Sequence, residues 1–116
     1  MKRFVMTLAV FVLMVNLSVA QAVEPTFEKQ DDLVKATYFY DNGTVKEVGF
    51  FKDTKLHNQW ISYSQEGQIK VVAFYNEGKK DGKWYLVGDT SVKEVTYKSN
   101  EIVKVEEVQE LELSFI

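Results

Sequence analysis

The chain has 116 residues, a net charge of −3, one proline and no cysteine. That length holds at most one ordinary domain, and the missing cysteines exclude a disulfide scaffold, a cysteine-ligated zinc site, an iron–sulfur protein and a thiol enzyme. A composition that is 46% hydrophobic and 27% charged argues against disorder, and the acidic balance argues against nucleic acid as a partner.

The N-terminus reads as an address. Lys2 and Arg3 precede a run from Phe4 to Val15 that is apolar except for Thr7, and Ala20-Gln21-Ala22 follows. A short positive region, an apolar run of this length and small residues at the cleavage point describe a secretory signal peptide over residues 1–22. The run is shorter than the roughly 20 apolar residues a spanning helix needs. Cleavage after Ala22 or Ala20 leaves an exported chain, periplasmic or secreted. Loss of Lys2 and Arg3 takes the net charge from −3 to −5 and removes the only arginine. Nucleotide and phosphate clamps usually rely on arginine, so a phosphoryl-transfer site is not expected.

Residues 23–32 form a polar lead-in containing Pro25. Residues 33–108 then repeat themselves, and 109–116 are a tail. Thr44-Val45-Lys46-Glu47-Val48-Gly49-Phe50-Phe51, Gln68-Ile69-Lys70-Val71-Val72-Ala73-Phe74-Tyr75 and Ser91-Val92-Lys93-Glu94-Val95-Thr96-Tyr97-Lys98 share one pattern, at spacings of 24 and 23 residues. Gly43 maps to Gly67, Lys55 to Lys79 and Trp60 to Trp84, each 24 apart. Such a period is the mark of a repeat architecture.

Each unit is rich in Val, Ile, Thr, Tyr, Phe and Trp, which suit a pleated surface. Asn42-Gly43, Glu66-Gly67, Glu77-Gly78 and Asp81-Gly82 punctuate the runs as turn signals. The pattern predicts strands at 33–40, 44–51, 59–64, 68–75, 83–87, 91–98 and 101–108, joined as an antiparallel meander of hairpins. Alternation places Val48 and Phe50 with Lys46, Val72 and Phe74 with Lys70, and Val95 and Tyr97 with Lys93 on one face. The other face is also partly apolar, so a sheet that rolls on itself or is covered on one side is expected.

The stretch Tyr63, Gly67, Ile69-Lys70, Tyr75, Gly78-Lys79-Lys80-Asp81-Gly82-Lys83-Trp84 resembles one unit of the MORN-variant (MORN_2-like) repeat. Residues 40–60 resemble a degraded copy, with Thr54 and Asn58 where its two glycines belong. The resemblance covers roughly 38–98. It implies an all-β fold, a meander of repeated hairpins in a single rolled sheet, here preceded by a cleaved signal helix. The repeat-defining positions are Gly43, Gly67, Gly78, Gly82, Trp60, Trp84, Phe50, Phe74 and Tyr97. Similar proteins are taken to mediate protein or membrane contacts. Some are described as antitoxins, and short exported ones as nicotinate-nucleotide adenylyltransferases.

The residues give that last activity no support. It needs an α/β nucleotide fold and a His-x-Gly-His motif, whereas the chain has one histidine, His57. A lone histidine makes neither a triad nor a typical zinc site. The acid pairs Asp31-Asp32 and Glu106-Glu107 point to opposite faces of a strand and do not converge. Asn42-Gly43-Thr44 fits a glycosylation acceptor, but a hairpin turn explains the same residues. Trp60 and Trp84, with Tyr63, Tyr75 and Tyr85, are either a recognition platform or core. Lys46, Lys70 and Lys93 form a candidate contact surface for an anionic partner, or serve to solubilise the sheet. The expectation is a non-enzymatic protein without cofactor or metal, contacting a protein or envelope component or a membrane.

Overall fold

The computed structural model describes residues 23–108; the signal-peptide segment (1–22) and the tail (109–116) lie outside the described residues. Nine strands run in chain order: β1 Thr26–Gln30, β2 Leu33–Phe39, β3 Val45–Lys52, β4 Lys55–Tyr63, β5 Ile69–Asn76, β6 Lys79–Lys80, β7 Gly82–Val87, β8 Val92–Lys98 and β9 Glu101–Val108. They form one sheet in the order β1-β2-β3-β4-β5-β7-β8-β9, with the two-residue β6 also on β5. Every pairing is antiparallel. The all-β meander expected from the sequence is therefore present.

Three differences stand out. The lead-in at 23–32 contains a strand, β1, paired with β2 from Thr26↔Thr37 to Gln30↔Leu33. Strand β4 starts at Lys55, four residues before its expected start. The sheet is open rather than rolled: among the described residues β1 and β9 are its edges and do not pair with each other. Closure is not needed to bury apolar surface here, because rings pack over small residues on one face while aliphatic residues cluster on the other.

The turns explain the meander. Tyr40 and Thr44 flank one loop, with Tyr40 N–H donating to Thr44 O at 2.8 Å and Gly43 N–H to Tyr40 O at 2.9 Å. Ser64 and Gln68 flank the next loop with the same two bonds at 2.8 and 2.9 Å. Gly43 and Gly67 both sit at φ +91°, the left-handed position that a three-residue hairpin loop hands to glycine. On the opposite end of the sheet the turns are two residues long. Asp53-Thr54, Glu77-Gly78 and Ser99-Asn100 each have both central φ values positive, the geometry that matches strand twist.

Register assigns the faces. After each three-residue loop, a bulge inserts an extra residue, Lys46 in β3 and Lys70 in β5. The third loop is shorter: Gly88 N–H donates to Ser91 O at 2.9 Å, leaving two residues between. No bulge follows at Lys93, which pairs in register with Leu86 and Glu107. Val95 and Tyr97 therefore lie on the face opposite Val72 and Phe74, not with them as the sequence alignment predicts. A shift of one residue moves every following side chain to the other face.

The packed core lies on one face. Val72, Tyr85 and Val92 are buried there, with Ile61, Ile69, Phe74, Val87 and Val108 against them. Glu94 is 8% exposed on that face, with Lys83 Nζ 4.0 Å from its carboxylate.

Candidate functional site

The second face is built from rings. Starting at Trp60 and following paired residues, one row reads Phe27, Ala36, Gly49, Trp60 and Ala73. Trp84, Val95 and Val105 continue it on β7, β8 and β9. Small residues alternate with large ones, so rings lie flat enough to cover the backbone of their neighbours. Ala36 and Ala73 are buried beneath them, and the Trp60 indole occupies the space a side chain at Gly49 would need.

The rings touch in two clusters. Phe27 meets Tyr38 edge-on at 6.3 Å, Tyr38 meets Trp60 at 6.0 Å, and Phe51 meets Trp60 edge-on at 5.8 Å. Trp84 sits between Tyr75 at 5.3 Å and Tyr97 at 4.9 Å. These separations are within the range where aromatic pairs add stability beyond area burial. The Trp84 indole N–H donates to Phe74 O at 2.9 Å. The Lys80 ammonium stands 5.1 Å from both the Trp84 and Tyr97 ring centres, a cation–π contact made by the chain itself. Burial pushes the Tyr75 phenol above its ordinary value, and the nearby Glu47 and Tyr97 push it further the same way.

This face is also where apolar surface meets solvent. Phe27 (58%), Val34, Leu86, Ile102 and Val105 (55%) are exposed, and register places all five with the rings. The platform predicted from the sequence is thus partly recovered. Trp60, Trp84 and Tyr75 share the face, whereas Tyr63 and Tyr85 lie on the other. Phe27, Tyr38, Phe51 and Tyr97 join the rings instead; a count of alternate residues that includes the bulges is the signal that finds them.

The other singled-out residues fall as follows. Phe50 and Phe74 lie on the core face, separated from Tyr97. Lys46 and Lys70 are the bulge residues and Lys93 lies on the aromatic face, so the three lysines do not share one regular row. The Lys46 ammonium is 5.8 Å from the Tyr40 ring. Gly78 and Gly82 have positive φ, as do Thr54 and Asn58, which stand 24 residues before them.

His57 is a turn clamp. Its Nδ1 accepts the Glu77 N–H at 3.1 Å while Gly78 N–H donates to Leu56 O at 2.7 Å. Asp81 does the same work one hairpin later: its carboxylate accepts from Ser99 N–H at 3.4 Å, and Asn100 N–H donates to Lys80 O at 2.9 Å. An open groove of about 420 Å³ runs beside these bends, lined by His57, Asn58, Asp81 and Gly82 among others. Asp32 faces Lys52 at 3.8 Å, Glu106 pairs with Glu94 and Glu107 with Lys93, so neither acid pair converges. Asn42 Oδ1 accepts both the N–H and the hydroxyl of Thr44, at 3.1 and 2.8 Å, an Asx-turn. Among the described residues no three His, Cys, Asp or Glu side chains gather to hold a metal.

A scan of protein-family models, a search of curated proteins and a search of solved structures each found no match to this chain.

Proposed function

We propose that this is an exported, non-enzymatic protein built of MORN-like hairpin repeats, and that it acts by contact with a protein or envelope component. The observation that carries the reading is the aromatic face. An exposed apolar strip rimmed by polar residues marks an interaction surface on a small protein, and half-exposed Trp and Tyr are the residues most often found at such contacts. The repeat reading draws support from the matching loops at Tyr40–Thr44 and Ser64–Gln68 and from the matching clamps at His57 and Asp81.

Crosslinking in the envelope tests the contact. A photoreactive residue at Leu86 should capture a protein, and the same probe at Lys83, on the opposite face, should not. Equal capture from both positions argues against the aromatic face. The membrane reading has less support, since Lys93 lies opposite Glu107 and the lysines do not form one row. It predicts salt-sensitive liposome binding that Lys70→Glu weakens. The adenylyltransferase reading predicts dinucleotide formation from nicotinate mononucleotide, ATP and magnesium, lost in His57→Ala; no product is expected, because His57 is engaged by a backbone N–H.

A further inference from the structure

We infer that the aromatic face packs against the same face of a second copy of this chain, a deepening that rests on the contact role proposed for that face. Two observations select a second copy over other occupants. The first is area. Eight strands about 4.8 Å apart, each offering roughly five residues at about 3.3 Å, make a face on the order of 600 Å², near the roughly 800 Å² per partner of a stable complex. The second is charge. Register places Lys29, Glu47, Lys93 and Glu107 on this face, with Lys80 held over Trp84 and Tyr97. Both signs are present and Lys93 lies opposite Glu107, so the face has no one-signed field to draw an anionic lipid or a cationic protein.

A symmetric dimer needs one patch that matches itself, and two twisted sheets pack face to face by interleaving side chains. A two-fold axis parallel to the strands lays the β1–β2 end of one sheet over the β8–β9 end of the other. Phe27 and Val34 then meet Ile102 and Val105 of the partner subunit. These are among the most exposed apolar side chains described, with Phe27 and Ile102 each 58% exposed. The association removes them from water and leaves both core faces outward.

The experiment is sedimentation equilibrium on protein purified after expression of the full-length gene. Twice the monomer mass is expected. Phe27→Lys combined with Val105→Lys should weaken association at least about 30-fold, the loss typical of a disrupted hot spot. Glu28→Lys, one residue from Phe27 but on the other face, should leave it unchanged. Both substituted side chains are exposed, so a retained circular dichroism spectrum separates lost contact from lost folding. A wild-type monomer at every concentration would overturn the inference. So would a dimer that survives the double substitution, since that dimer would be held by strand edges. In either case selective crosslinking from Leu86 to another protein would leave the contact function standing.

Discussion

Trp60 lies across Gly49 on the neighbouring strand, and its six-membered ring fills the position where a side chain would begin. The two residues are paired in the β3–β4 ladder, and the ring continues from there to Phe51 and Tyr38. Gly49→Ala must therefore displace the indole and disturb the four-ring cluster. The expected cost is about 1–3 kcal/mol, as for overpacking elsewhere, read from urea unfolding. Trp60→Ala in the same chain should make that substitution nearly free of further cost, because interacting sites are not additive.

Thr54 is a β-branched residue at φ +66°, a conformation that is strained for it. Gly78 holds the same place one unit later at φ +86°. Thr54→Gly should stabilise the fold by about 1 kcal/mol, which raises Tm by about 4–8 °C in a domain of this size. Gly78→Thr should lower Tm by a comparable amount. A thermal melt of each variant checks both signs.

The His57 clamp predicts a local effect. His57→Ala removes the acceptor of the Glu77 N–H, a loss of about 1 kcal/mol at most for one exposed hydrogen bond. Hydrogen exchange at the Glu77 amide should accelerate while amides in β8 stay protected. His57→Asp should restore slow exchange, because Asp81 already holds Ser99 in that manner.

Tyr75 sets an alkaline limit. Its phenol is raised above 10.0 by burial first, then by Glu47 and Tyr97, so folding favours the neutral form. The contribution is whole below pH 10.0 and is lost as pH rises through the higher folded-state value. Tyr75→Phe cannot ionise and should show a flatter fall in stability between about pH 9 and 11. Unfolding of both proteins at those two pH values isolates the effect, since the lysines are common to both.

Much of the sheet is legible in the residues. The glycine turns at Gly43 and Gly67, the order of hairpins and the two-residue turn at Glu77-Gly78 follow from local chemistry. Strand β1 is not legible, because Thr26–Gln30 is exposed at every position and is held by its ladder to β2 rather than by burial. The start of β4 is hidden for another reason: Lys-Leu-His-Asn reads as a turn, and Asn58 does adopt φ +70° within the strand. The faces depend on bulges at Lys46 and Lys70, which no single residue type announces. For that reason Tyr97 is grouped with Phe74 by sequence and with Trp84 by structure.

The short loop at Gly88–Ser91 has a consequence for how such a chain tolerates length change. From Phe51 to Tyr75 the ring-bearing positions are 24 residues apart, and from Tyr75 to Tyr97 they are 22. The second unit lacks one loop residue and one bulge residue, and both intervals stay even. Either deletion alone gives an odd interval and turns Tyr97 away from Trp84. Insertions and deletions in this sheet are thus governed by parity: a pair of compensating single-residue changes preserves the line of rings, while either change by itself redirects all of the chain beyond it.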